Sequence, residues 1–266
     1  METGRLGRGL ALGALLLGTA VPVAAEQIIE EIVVTATKRA QSLQDTPVAV
    51  TVTDAETIER ANIDDALDLQ SVVPSLRVET RQTSRAANFL IRGFGGGTNN
   101  PGIEPSVAIF VDGVYRSRAA ATIGDLPRLE RVEVLGGPQS TLFGKNASAG
   151  VVSVVTPKPS GEREGYIEGT YGNYDAIQLK GLYGDALSDQ LAFEVSANYN
   201  KRDGYVDNPI TGSDIANRDR YALRGQLLFT PNDTTELRII ADYSELDETA
   251  ARSPPSPSAA CLCPRA

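Results

Sequence analysis

Histidine is absent from the 266 residues of this sequence, and cysteine occurs only twice. Without histidine the chain has no histidine acid/base catalyst, no His-ligated zinc site and no Ser-His-Asp triad. The two cysteines, Cys261 and Cys263, lie among the last six residues, so they build neither a disulfide framework nor a four-cysteine metal site. We expect no catalytic residues, no resident metal and no cofactor. The commonest enzyme classes are excluded.

An excess of basic residues is also lacking. The chain has 25 Lys and Arg residues against 34 Asp and Glu residues, which gives a net charge of -9. A nucleic-acid partner is therefore not expected, because phosphate contacts need a basic face. Hydrophobic residues make up 41% of the chain, which is enough to bury a core, so disorder of the whole chain is excluded.

Long apolar runs are missing as well. The run around Leu10–Leu17 is too short for a membrane-spanning helix of about 20 residues, and no later stretch is long enough. Arg5 and Arg8 precede this run, and small residues follow it at Val23–Ala25. Together these features predict a signal peptide over residues 1–25 that is cleaved on export. The alternative is an uncleaved anchor.

Residues 41–160 mix short apolar strands with helical stretches and predict a compact α+β domain. Pro47–Thr53 is typical of a strand, and Asp54 is suited to be the N-cap of a helix that follows it. A second helix is predicted over Asp64–Val72 and ends before Pro74. Further strands, bounded by Gly and Pro, are predicted at Asn88–Ile91, Val107–Val111, Val132–Leu135 and Val151–Val155.

Residues 161–248 show a different period, in which apolar and polar residues alternate. Five strands of membrane length, about 9 to 11 residues, are predicted around 167–171, 177–183, 191–199, 221–229 and 237–243. One face is apolar with Tyr or Phe near its ends and the other is charged, which predicts the first antiparallel strands of a transmembrane β-barrel. A soluble sandwich would alternate in the same way, but its strands usually have about five or six residues.

The connections between these strands favour the barrel. Asp185–Gln190 and Pro231–Thr234 are short, whereas Lys201–Arg218 is long and polar. Outer-membrane barrels have short periplasmic turns and longer external loops. Residues 249–266 are rich in proline and predict an irregular tail, which either opens an external loop or is a frameshifted or mis-predicted end. Five strands cannot close a barrel, so we expect this truncated chain not to transport by itself.

A short extended segment lies in the linker, residues 26–40, between the signal peptide and the domain. Ile32–Thr35 is apolar and favours an extended backbone. Such a segment could add itself as a strand to the sheet edge of a partner protein. The alternative is an ordinary first strand of the domain.

Three motifs follow this segment: Phe89-Leu-Ile-Arg-Gly93, Val107-Ala-Ile-Phe-Val-Asp-Gly-Val-Tyr115 and the long stretch Leu129–Thr156. In this order, residues 30–160 closely resemble the plug domain of TonB-dependent outer-membrane receptors. The long stretch is highly specific, whereas the Ile-Arg-Gly triplet alone is a weak signal. The resemblance implies that the plug sits inside a barrel of about 22 strands.

The resemblance also implies functional residues. The TonB box, which TonB of the inner-membrane complex would hold by β-strand addition, would consist of Ile32, Val33, Val34, Thr35 and Ala36. Plug-to-barrel contacts would involve Arg92, Glu130 and Glu133. Candidates for ligand binding on the outward plug loops are Arg81, Arg85, Tyr115, Arg116 and Arg118. Their guanidinium groups could attract an anionic metal chelate, or they could be solvated loop charges.

The sequence departs from the family pattern at three positions. Gly136 stands where the family usually has Arg, Ala149 where it has a second Gly, and Ser153 where it has Asn. Losing the arginine at position 136 removes one charged contact between plug and barrel wall. We therefore expect a less tightly held plug.

The expected function is active uptake of a scarce ligand through the outer membrane, with no chemistry catalysed. In the resembling family this ligand is most often an iron-siderophore complex, but cobalamin, glycans and aromatic compounds stay open. The expected partners are TonB, outer-membrane lipid and a small-molecule ligand such as a metal chelate. The alternative is a ligand-binding or signalling plug module that does not transport.

Overall fold

A computed structural model describes residues 33–34, 41–63, 66–81, 83–96, 103–116, 128–207, 214–232 and 234–248. It shows an α+β domain followed by a five-stranded antiparallel sheet, which we call the wall. Among these described residues, no helix is long and apolar enough to cross a membrane.

The α+β domain is built from short elements around one mixed sheet. In chain order the elements are β1 (Val33–Val34), β2 (Gln41–Ser42), a 3-10 helix (Leu43–Asp45), β3 (Ala49–Asp54), α1 (Ala55–Arg60), a second 3-10 helix (Asp68–Ser71), β4 (Leu76–Arg81), β5 (Thr83–Ile91), β6 (Val107–Val111), β7 (Val114–Tyr115), β8 (Arg131–Gly136), α2 (Ser140–Phe143) and β9 (Gly150–Val155). The central sheet has the order β3-β8-β9-β6-β7, in which β6 and β9 are parallel.

Both faces of this sheet are covered. Alternate residues of a strand point to opposite faces, so β8 contributes Val134 to one apolar cluster and Leu135 to the other. The first cluster also contains Ile58, Leu69, Phe89, Ile91, Ile109, Val152 and Val154. The second also contains Val34, Ala108, Phe110, Ala147 and Val151. Each fully buried Val, Leu or Ile side chain stabilises the domain by about 1.5 to 3 kcal/mol.

Asp54 begins α1, as the sequence predicts. Its carboxylate oxygen Oδ1 accepts a hydrogen bond of 2.8 Å from the backbone N–H of Thr57. This bond satisfies one of the free N–H groups of the first helical turn. It also favours the charged carboxylate and holds the pKa of Asp54 below its ordinary value.

One prediction for this domain was wrong in detail, and one strand was not predicted. In place of the helix predicted over Asp64–Val72, the described residues contain a 3-10 helix of four residues, Asp68–Ser71. At its end the N–H of Val72 donates to the carbonyl of Leu69, three residues back, which is the tighter hydrogen bond of a 3-10 turn. Strand β4 was not predicted, although Leu76 and Val78 alternate with polar residues and are buried.

Gly150 begins β9 at a point where no side chain fits. A Cβ atom there would lie 2.4 Å from the carbonyl oxygen of Leu135 and 2.6 Å from Cδ1 of Ile91. Both distances are far below van der Waals contact. The close approach of β8, β9 and the end of β5 therefore depends on glycine at this position.

The wall confirms the fold predicted for residues 161–248. Its strands are β10 (Glu164–Gly172), β11 (Ala176–Ser188), β12 (Leu191–Arg202), β15 (Arg218–Asn232) and β16 (Thr235–Leu246), and β13 (Val206–Asp207) pairs with β14 (Asp214–Ile215) in the long connection before β15. Each wall strand is antiparallel to its neighbour in chain order. The two connections predicted to be short are tight turns after Ser188 and Asn232.

Candidate functional site

The two faces of the wall differ in chemistry, as the alternating sequence predicts. On one face Leu223 and Ile239 are about half exposed. On the other face Glu194, Arg224 and Gln226 are buried. The α+β domain lies against this polar face, where side chains of both parts form hydrogen bonds and ion pairs. The contact between domain and wall is therefore polar, and it is the candidate site.

On the domain side, the contact is organised by the turn between β6 and β7. Asp112 and Gly113 both have positive φ, 49° and 79°, as an Asp-Gly hairpin turn requires. The N–H of Asp112 donates to the carbonyl of Val154 at 2.9 Å. Its Oδ1 accepts from the N–H and the hydroxyl of Thr156 at 2.8 and 3.0 Å. The turn is thereby fixed to the end of β9.

On the wall side, two arginines reach this turn. The side chains of Arg224 and Asp112 form an ion pair and are only 7% and 4% exposed. Arg238 donates to the Thr156 hydroxyl at 2.8 Å and to the carbonyl of Pro157 at 2.9 Å, and its Nη1 lies 3.6 Å from Oδ1 of Asp112. We call these four residues, Asp112, Thr156, Arg224 and Arg238, the latch.

Further charges extend the latch toward the domain surface. Asp242 on β16 accepts from Nη1 of Arg224 at 2.9 Å and from Nη2 of Arg116 at 2.7 Å. Arg116 follows β7 directly, so it belongs to the domain. Arg116 of the domain and Arg224 of the wall therefore both bind the carboxylate of Asp242.

A second line of polar side chains crosses the inner face of the wall. Gln226 donates to Glu194 at 2.9 Å and accepts from Nε of Arg238 at 3.0 Å. Arg128 of the domain pairs with Glu164 at 2.8 Å and lies 3.9 Å from Glu194. The contacts of Arg128 hold the domain against β10 and β12, whereas those of Gln226 join wall strands to one another.

A cavity of about 680 Å³ lies between α1 and the inner face of the wall. Its lining includes Ile58, Arg116, Arg128, Lys180 and Asn198. Both polar atoms of the Asn198 side-chain amide are buried and have no hydrogen-bond partner among the described residues. Such a polar cavity has room and partners for water or for a small polar solute.

The segment predicted as a TonB box is partly described. Val33 and Val34 form β1, which pairs antiparallel with Gln41–Ser42. Val34 is fully buried in the second apolar cluster, together with Phe110 and Leu135. The structure thus shows the segment docked as a strand on the domain. Ile32, Thr35 and Ala36 lie outside the described residues.

The residues predicted to join plug and barrel have other neighbours. Arg92 is exposed and has a φ of 54°, and its guanidinium lies over Gly136, where a Cβ atom would be 3.2 Å from Cζ. Glu133 is fully buried and pairs with Arg131 at 2.8 Å. Glu130 pairs with the same arginine. Their contact with a barrel wall stays a prediction.

Of the predicted ligand-binding residues, the structure describes two side chains. Arg116 pairs with Asp242, and Tyr115 accepts a hydrogen bond from Asn146 and packs against Phe110. The backbones of Arg81 and Arg85 lie in β4 and β5, their side chains are not described, and Arg118 lies outside the described residues.

The sequence alone does not predict the latch. A signal was present, because Asp112 begins an Asp-Gly turn and Arg224 and Arg238 fall on the polar face of predicted strands. The sequence does not give the register that brings these strands to the turn. Only the folded arrangement identifies the pairs.

Comparison with known proteins identifies the domain. A sequence model described as the TonB-dependent receptor plug domain matches residues 42–151. Residues 42–151 belong to the TonB-dependent receptor plug domain family. The α+β domain is therefore a plug, and the wall consists of the first antiparallel strands of a transmembrane β-barrel.

Known relatives match both the plug and the wall. The pesticin receptor of Yersinia pestis is 32% identical over 228 residues, which are 84% of this chain and 33% of the relative. The ferrioxamine receptor of Yersinia enterocolitica is 28% identical over 79% of this chain and 29% of the relative. The crystal structure of the ferric yersiniabactin uptake receptor FyuA from Yersinia pestis has a TM-score of 0.68 at 29% identity, covering 74% of this chain and 31% of that one.

This chain spans about a third of the length of the curated relatives that it matches. A plug followed by barrel strands is an outer-membrane architecture, and the outer membrane is the location of this chain. The family consists of transporters rather than enzymes, so the prediction that the chain is not an enzyme is confirmed.

Proposed function

We propose that this chain is the plug and the first wall strands of a TonB-dependent receptor that takes up an iron-siderophore complex. The observation that carries the proposal is the likeness to the ferric yersiniabactin uptake receptor. That likeness covers 74% of the chain, which is more than the plug accounts for. The ferrioxamine receptor among the relatives supports the same ligand class. Vitamin B12 transporters also match, at 25 to 28% identity, which makes cobalamin the competing ligand.

TonB would exert its force on the plug through the TonB box, Ile32–Ala36. TonB would pair with this segment as an added strand, which uses main-chain hydrogen bonds and tolerates sequence variation. Because β1 is already paired with β2 and Val34 is buried, the segment has to leave the plug before TonB can pair with it. Pulling on it would then act on β3, the edge strand of the central sheet.

Export and membrane contact complete the proposal. Residues 1–25 would direct the chain through the inner membrane and be removed, 26–40 would carry the TonB box, and 249–266 would form an irregular tail. The exposed apolar face of the wall, with Leu223 and Ile239, would contact outer-membrane lipid. The ligand would bind on the outward loops of the plug, near Arg116.

A chimeric receptor tests the uptake proposal. Residues 26–248 of this chain replace the aligned part of the ferric yersiniabactin uptake receptor in cells that lack their own receptor. We expect accumulation of radiolabelled ferric yersiniabactin that requires TonB. In the chimera, Val34→Pro should abolish accumulation because proline cannot donate to a strand ladder. Val34→Ala, which keeps the N–H, is the matched control and should retain it.

Two results would contradict the proposal. Equal accumulation in the parent and in Val34→Pro would show that the segment is not the TonB box. A chimera that reaches the outer membrane and binds the complex but does not accumulate it would favour the non-transporting binding module.

A further inference from the structure

Four charged side chains form an alternating row across the contact between plug and wall. The row runs from Arg116 to Asp242, Arg224 and Asp112, so plug residues stand at both ends and wall residues in the middle. The outer pair is about one-third exposed, with side-chain exposures of 32% for both Arg116 and Asp242. The inner pair, Arg224 and Asp112, is almost fully buried. The exposed pair is therefore the one that a solute can reach.

The two middle residues each divide their charge between two partners. Asp242 accepts from both Arg116 and Arg224, while Arg224 donates to both Asp242 and Asp112. If Arg116 leaves, Asp242 keeps Arg224 but loses its other cation of this row, so Arg224 is drawn more strongly toward Asp242. Its bond to Asp112 then weakens, because the carboxylates of Asp242 and Asp112 compete electrostatically for the same positive charge.

We propose that Arg116 controls the strength of the latch through Asp242, so that an anionic group that captures Arg116 at the outer face of the plug loosens the buried Arg224–Asp112 pair. This inference rests on the proposed receptor function, because that function places an anionic ligand at the outward surface of the plug. Arg116 and Asp242 are positioning residues in this scheme. They act on Asp112 through Arg224, and not by direct contact.

The Arg116–Asp242 pair lies toward the external end of the wall strands. Asp242 lies in the second half of β16, whose first residue follows a short turn at Asn232. The long connection between β12 and β15 lies at the opposite end of these strands, and long connections are external in such barrels. Arg116 thus meets the wall toward its external half, while Arg238 holds the carbonyls of Thr156 and Pro157 farther toward the short turns.

Amide hydrogen exchange on the whole chain in detergent micelles tests the proposal without ligand or TonB. The backbone N–H of Thr156 donates to Asp112, so its exchange rate reports on the latch. Arg116→Gln should raise this rate by about three- to fivefold, the factor that corresponds to a partly exposed ion pair. Arg116→Lys should restore most of the slow exchange. Amides of β3 and β8 serve as an internal reference and should not change.

Asp242→Asn supplies the decisive contrast. This change removes the carboxylate that competes for Arg224, so Arg224 binds Asp112 alone. The exchange rate of the Thr156 backbone N–H should therefore be unchanged or lower. The double variant R116Q/D242N should behave as D242N does. The proposal is overturned if R116Q leaves Thr156 exchange unchanged, if D242N accelerates it as R116Q does, or if β3 and β8 accelerate by the same factor. Because no ligand is present, such a failure would leave the uptake proposal standing.

Discussion

Asp112 of the plug and Arg224 of the wall form a buried ion pair that joins the two parts of the chain. The aspartate is held by an Asp-Gly turn and by Thr156, and the arginine lies on the inner face of β15. A buried pair of this kind fixes one arrangement of plug against wall, because either charge left alone in that place is costly.

Breaking this pair should destabilise the contact strongly. Asp112→Asn leaves Arg224 buried with one carboxylate fewer, and a loss of about 3 kcal/mol is expected from the cost of an uncompensated buried charge. Urea unfolding of the chain in detergent micelles measures the effect. Arg224→Met should cost a similar amount.

The double variant provides the control for this prediction. Combining Asp112→Asn with Arg224→Met should cost less than the sum of the single changes, because neither member of this pair is left buried without the other. Glu236→Gln, which breaks the exposed pair with Lys158, should cost less than about 1 kcal/mol. Additive losses at Asp112 and Arg224 would contradict direct coupling.

The N-cap at Asp54 gives a separate prediction for the plug. Asp54→Ala should lower the free energy of unfolding by about 1 kcal/mol, because the N–H of Thr57 loses its acceptor. Asp54→Asn keeps an acceptor oxygen and should cost less. Equal losses in both variants, measured by urea unfolding at neutral pH, would show that the charge and not the cap is responsible.

Stability should also depend on pH through the same carboxylate. Its pKa is lowered in the folded chain by the bond from Thr57. The stabilisation is therefore complete above the pKa of the unfolded carboxyl, about 3.9, and is lost as pH falls through the lower folded value. Asp54→Asn should remove this part of the acid dependence. Parallel stability curves for parent and variant below about pH 5 would contradict the assignment.

The resemblance to the plug family implies an arginine at the position where this chain has Gly136. Gly136→Arg is predicted to raise the urea midpoint for release of the plug, but the new side chain must first displace Arg92, which lies over the glycine. Gly136→Ala is the matched control. It adds only a methyl group, and since Arg92 is exposed and flexible the midpoint should hardly change. An unchanged midpoint in Gly136→Arg would count against a missing charged contact.

Much of the fold could be predicted from sequence because its determinants are local. The alternation along Leu223 to Phe229 depends only on the two-residue period of a strand, and the structure confirms it. Asp54 as a helix cap depends on a residue three positions away. The resemblance supplied the plug itself, through motifs that lie close together along the chain.

The candidate site could not be predicted in the same way. Asp112 meets Arg224 only because the end of β9 leads into the wall and the wall strands adopt a particular register. The resemblance predicts Arg116 as a candidate for ligand binding, whereas its pairing with Asp242 depends on the same register. Long-range pairs of charges leave no periodic signal in one sequence, so the folded arrangement is needed to find them.

The docking of β1 predicts that TonB competes with the plug for the same strand. Ser42→Pro should weaken the pairing of Gln41–Ser42 with Val33–Val34, because proline lacks the N–H of a strand residue. The released segment should bind the periplasmic domain of TonB more tightly than in the parent chain. Isothermal titration of both proteins in micelles measures the difference, and equal or weaker binding by Ser42→Pro would contradict competition.

Binding of that TonB domain to the chain itself tests the central claim most directly. Titration of the parent, Val34→Pro and Val34→Ala in detergent micelles compares a strand that can pair with one that cannot. We expect saturable binding by the parent and by Val34→Ala, and loss of binding in Val34→Pro. Equal binding by all three proteins, or binding by none, would contradict it.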